Sequence, residues 1–212
     1  MTEAQWLVSE SPVKMLNSLG VEKFSRLALR YALAVCGQRP DLLVGPLREW
    51  AETAERVADT YTNGDPFVDI QLSAEEVACE LTERGPPGTR GHYAALADAV
   101  VGLWTFFKGE CDQVNTIPRE ELTPVRQATA AFVRDIIGNP FRPGPFYAGW
   151  RTASVVAIAR QVYESQDFTT MPILADALLD AGCDYSGLLA HCREPSPHVR
   201  GCWALDLVLG KE

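Results

Sequence analysis

The chain has 212 residues, 47% of them hydrophobic and 22% charged, with a formal net charge of −9. That length and composition predict a single soluble domain with a core large enough to need no staple. The acidity argues against a dedicated nucleic-acid binder, which needs a basic face for phosphates.

No apolar run reaches the roughly 18 residues of a membrane span. The opening "MTEAQWLVSE" has neither the basic n-region nor the apolar stretch of a secretory signal. The expected setting is therefore the cytoplasm, with the cysteines reduced.

Taken in order, the segments read as helices almost throughout. The spacing predicts helices near 3–8, 12–19, 22–36, 46–62, 74–84, 92–108, 124–137, 152–164, 171–181, 185–192 and 197–209. Trp50, Ala54, Val57 and Tyr61 form one apolar stripe, with Glu49, Glu52, Arg56 and Asp59 opposite. Tyr93, Leu96, Val100, Trp104 and Phe107 form another, and Val125, Ala128, Phe132 and Ile136 a third.

Ser11-Pro12, Thr123-Pro124 and Ser196-Pro197 each set a capping hydroxyl before a proline suited to the first helical position. Ser73 with Glu76 reads as a capping box. Gly20, Gly37, Gly64, Gly138, Gly182 and Gly210 stand where left-handed residues end helices. "PFVDIQL" (66–72) alternates like a strand, but one strand makes no sheet, so an extended connector is expected.

The fold class is thus all-α: an irregular multi-helix bundle of about nine to eleven helices in a single domain, 1–212, with a soft division near 109–122. The closing "PSPHVRGCWALDLVLG" has the character of the first helix of a HEAT-type repeat, but no second copy follows a period of about 40–50 residues.

Chemistry concentrates near the end, in "AGCDYSGLLAHCREPSPHVRGCW" (181–203). His191, Cys192, His198 and Cys202 are of the types that zinc prefers. His198 and Cys202, four apart on the helix expected over 197–209, would share a face, and the turn "REPSP" would bring His191 and Cys192 to them. Cys183 is a further candidate of the same type. No Cys-x-x-Cys knuckle supports that reading, and cysteine also serves as a small buried hydrophobe: Cys202, in register with Val199 and Leu205, can simply pack, as Cys36 and Cys79 are expected to do.

A catalytic thiol is the third option, with a Cys–His pair such as Cys183 and His198 across helices. The carboxylate pairs Glu52/Glu55, Glu75/Glu76 and Glu120/Glu121 fall on solvated faces or in helix first turns. Nucleophile elbow, phosphate-loop and dinucleotide patterns are absent from the sequence. A different kind of site is offered by "GNPFRPGPFYAGW" (138–150), whose Phe141, Arg142, Phe146, Tyr147 and Trp150 are residue types found at binding hot spots. Arg200 and Trp203 extend that candidate surface onto the tail.

"MTEAQWL…SPVKML", "VRDIIGNPFRP" and the closing block from "MPILADALLDAGCDYSGLLAHC" through "HVRGCWALDLVLGKE" resemble a paralogue-rich family of uncharacterised bacterial proteins. The family's usual opening has an acidic or small residue where this chain has Gln5. The resemblance implies a helical fold and a bacterial cytoplasmic protein, and it carries over no catalytic residue. The expected function is a non-enzymatic α-helical interaction or adaptor module whose partner is another protein. A zinc-stabilised helical domain and an enzyme using a Cys–His pair in the tail are the alternatives.

Overall fold

The computed structural model describes residues 1–19, 26–43, 45–60, 69, 70, 73, 77 and 129–211. The described residues are helical with no strand, so the all-α class holds. Of the helix expected over 74–84 only Val77 is described, and it is helical; the helix expected over 92–108, the Thr123-Pro124 cap, Glu76 and the loop at 84–93 lie outside the described residues. No helix among the described residues is long and apolar enough to cross a membrane.

The chain divides into two compact units, Met1–Val133 and Arg134–Glu212, with the boundary C-terminal to the 109–122 stretch marked from sequence. In the first unit, α1 (Glu3–Val8) opens with a capping box between Thr2 and Gln5, and α2 (Pro12–Ser18) has Ser11 as its cap and proline at its start. The pair buries Trp6, Met15 and Leu16.

Helices α3 (Arg26–Gly37) and α4 (Pro46–Thr60) pack together, the former burying Leu29, Ala32 and Val35 and the latter Trp50, Ala54 and Ala58. Arg26 Nε donates to the Ala58 carbonyl at 2.9 Å, and buried Arg30 pairs with Asp59. Both are cations set at the C-terminal end of α4, where the helix dipole favours them. Asp69 and Ile70, expected in an extended connector, are helical. Ser73 is helical too, and its hydroxyl donates to the Ile70 carbonyl.

A helix over 129–137, α5, delivers its last turn to the second unit. There follow α6 (Ala153–Ser165), capped by Thr152, α7 (Met171–Asp180), α8 (Ser186–Arg193) and α9 (Trp203–Leu209). The α7–α8 pair packs most closely, and α6 packs against both α7 and α9. Their shared core holds Val155, Val162, Leu174, Leu178, Leu188 and Leu205, all fully buried.

Glycine makes the turns between these helices. Gly182, at φ +82°, closes α7 in a Schellman motif: Cys183 N–H reaches the Leu178 carbonyl and Gly182 N–H the Leu179 carbonyl, each at 2.9 Å. The end of α9 is met by Arg151, whose guanidinium donates to the Leu207 and Val208 carbonyls at 2.7 and 2.9 Å.

The helix expected over 197–209 is shorter than its periodicity indicates, because α9 begins only at Trp203. Residues 199–202 instead form a turn, with Cys202 N–H donating to the Val199 carbonyl at 3.0 Å. Gly201 sits at its third position with φ +94°, the left-handed value that a type II turn needs and a helix excludes. Ser196-Pro197 therefore caps nothing.

Gly138 ends α5 at φ +74°, and a Cβ there would lie 3.1 Å from the Trp203 indole. Gly138→Ala combines left-handed strain with that clash and is expected to cost about 1–3 kcal/mol. The check is the urea midpoint of the full chain against wild type at unchanged m-value.

Candidate metal centre

Four side chains from four places in the second unit converge. Asp135 comes from the last turn of α5, His191 from the last turn of α8, His198 from the loop that follows, and Cys202 from the residue before α9. One potential ligand atom of each lies within 4.8 Å of all the others. His198 Nδ1 is 2.7 Å and His191 Nε2 3.2 Å from Asp135 Oδ1. Cys202 Sγ is 3.1 Å from His191 Nε2 and 4.0 Å from His198 Nδ1. These separations bracket the roughly 3.3–3.6 Å edge of a tetrahedron built on ordinary zinc–nitrogen, –oxygen and –sulfur bonds.

The carboxylate is held from behind. Its second oxygen, Oδ2, accepts the Val199 backbone N–H at 2.8 Å, leaving Oδ1 to face the two imidazoles. That bond ties the end of α5 to the turn carrying Cys202, and it has the form of an outer-shell contact that orients a ligand. The His191 ring is flanked by His198, with centroids 4.9 Å apart, and by Trp203 at 5.1 Å.

Burial is deep. Side-chain exposure is 3% for Asp135, 5% for His198 and 13% for His191, and Cys202 is 0% exposed. His198 Nε2 is buried with no hydrogen-bond partner, a cost of about 1–3 kcal/mol borne while Nδ1 faces the cluster.

The electrostatics follow from that burial. Desolvation by itself raises the Asp135 carboxyl, but hydrogen bonds to His191 and His198, and their charge, outweigh it and hold the group below the usual carboxylate range. The Cys202 thiol goes the other way. Burial pushes it well above the ordinary value and the Asp135 charge adds to that, while the amides of Leu205 and Ala204 act in the opposite direction. A dication among these donors would invert the balance, because a coordinating thiol is deprotonated outright.

Three of the four ligands expected from sequence, His191, His198 and Cys202, meet here. They do so around a turn, not along one helix face. Cys192 does not join them: fully buried, it belongs to the apolar core, and burial pushes its thiol to about 12. Asp135 takes the fourth place. Its signal in the sequence was an acid in the last turn of an apolar helix, where the dipole disfavours negative charge.

The aromatic loop divides. Phe141 and Tyr147 are exposed and Arg142 is on the surface, whereas Phe146 is half-buried. Trp150 is a buried anchor, edge-on to both Phe146 and Tyr147, because the turn Ala148–Trp150 directs it into the core ahead of α6. On the tail, Arg200 lies over the Tyr163 ring at 4.9 Å and Trp203 is half-buried beside Tyr185 and His191. Glu52 is exposed and Glu55 half-buried on α4, while Glu75, Glu76, Glu120 and Glu121 lie outside the described residues.

No family model, curated protein or solved structure matches the chain. The site's own geometry therefore carries the functional argument.

The described cysteines, Cys36, Cys183, Cys192 and Cys202, are all buried, and burial raises each thiol, to about 12 for Cys36 and Cys192. At neutral pH these four are expected to alkylate far more slowly in the native chain than in urea. Peptide mapping after a short iodoacetamide pulse checks this. Rapid native labelling of Cys202 would instead identify an accessible thiolate next to His191.

Proposed function

We propose that the second unit is a metal-stabilised helical module in which a single zinc ion is held by Asp135, His191, His198 and Cys202. The observation that carries the reading is the convergence of four buried donors, one carboxylate, two imidazoles and one thiol, within 4.8 Å. The mixed N, O and S set suits a borderline ion such as zinc better than calcium or magnesium, which take oxygen cages.

Four protein ligands complete a tetrahedron and leave no position for substrate, so the ion's role is structural. It joins the end of α5, the end of α8 and the start of α9, adding to the apolar core that α8 and α9 share and to the hydrogen bond between Asp135 and the Val199 amide. A thiolate ligand is compatible with a reducing cytoplasm, in keeping with the bacterial family that the chain resembles.

On this reading the module presents a surface rather than an active site. The exposed rings of Phe141 and Tyr147, beside Arg142 in the loop that follows α5, favour a protein partner as what that surface meets.

The purified, untagged chain is expected to contain about one zinc per molecule by elemental analysis. Free metal at 100 times its dissociation constant stabilises the folded state by about 2.7 kcal/mol. Chelation is therefore expected to lower the Tm of the second unit by roughly 10–20 °C, reversibly on adding zinc back. A chain with no metal and a chelator-independent Tm would reduce the four residues to a buried hydrogen-bond cluster.

A further inference from the structure

The four ligands are not equivalent. Asp135, His198 and Cys202 belong to one framework: Asp135 Oδ2 holds the Val199 amide at 2.8 Å, Oδ1 meets His198 Nδ1 at 2.7 Å, and the 199–202 turn leads directly to Cys202. Those three side chains are 5% exposed or less. His191 stands apart from that turn, on the last turn of α8, and is 13% exposed, the largest share of the four.

Resting on the zinc reading, we infer that His191 is the exchangeable ligand: the metal enters and leaves through displacement of this imidazole, while Asp135, His198 and Cys202 form a preorganised three-ligand seat. Displacement leaves three protein ligands and one open position, an arrangement that a neutral nitrogen donor from solution fills without change of charge. No covalent chemistry is involved; the imidazole lone pair leaves the metal and another takes its place. Trp203 and His198 flank the ring at 5.1 and 4.9 Å, so they act as positioning residues that limit how far it swings.

The test uses the full chain with cobalt(II) as the probe, whose ligand-field and thiolate charge-transfer bands report tetrahedral and sulfur coordination, and then measures zinc transfer to a chromophoric chelator. His191→Ala is expected to retain one cobalt per chain with the thiolate band. It should weaken binding by at least the roughly 10–100-fold that lost outer-shell contacts cost and release zinc correspondingly faster. Millimolar free imidazole should restore tetrahedral cobalt bands and slow release toward wild type.

His198→Ala is expected to lose stoichiometric binding, with no rescue by imidazole. Circular dichroism of both variants identifies any that fails to fold. If that happens, His191→Gln and His198→Gln give the same comparison with the rings replaced by amides.

Equal loss in the two variants, or equal rescue of both, would overturn the inference while leaving the zinc reading intact. Absence of the thiolate band in wild type would overturn both.

Discussion

A buried carboxylate organises the C-terminal unit. Asp135 is almost wholly removed from water, and an isolated charge in that position would cost far more than one helix turn can offset. It remains ionised because both oxygens are occupied, one by a backbone amide from beyond α8 and the other by two imidazoles. Removing a single partner from such a group is the costly change, since it strands the charge. Packing follows from this demand. The loop after α8 folds back onto the end of α5, Gly201 turns the chain, and α9 starts where Cys202 can face the same point.

That arrangement also explains features that are unfavourable when taken one at a time. An acid in the last turn of a helix and a thiol buried beside a negative charge each oppose folding. Together they make sense as a donor set for a cation, which neutralises the carboxylate, accepts the thiolate and uses both imidazole lone pairs. Cys202 belongs to the same apolar core as Leu174, Leu178, Leu188 and Leu205, which ties the cluster to the packing of the unit. The exposed rings of Phe141 and Tyr147 lie in the loop that leaves the Asp135 helix, so ordering the centre also fixes where that loop begins.

Much of this was legible in the residues, for local reasons. Helix spans follow from apolar spacing, and several boundaries from chemistry that acts within a few residues: Ser11-Pro12 at the start of α2, Gly182 at the end of α7, Gly210 at the end of α9. Three ligands were legible because imidazole and thiol are scarce and fall close together in the chain. Asp135 was not, because it stands 56 or more positions before the other three, and distant pairing leaves no periodic trace. The start of α9 is not legible, because Ser-Pro and an apolar period argue for helix while one left-handed glycine, whose φ is set by the tertiary turn, decides otherwise. Cys192 lies outside the cluster because adjacent helical residues point about 100° apart, so His191 facing the cluster sends its neighbour into the core.

The central claim is that one ion sits among these four side chains, and X-ray absorption at the zinc edge of the purified full chain tests it most directly. The account requires a first shell of one sulfur at about 2.3 Å and three nitrogen or oxygen atoms at about 2.0–2.1 Å, with imidazole scattering beyond. A shell of oxygens alone, two or more sulfurs, or no bound metal would contradict it and return the cluster to a purely hydrogen-bonded role.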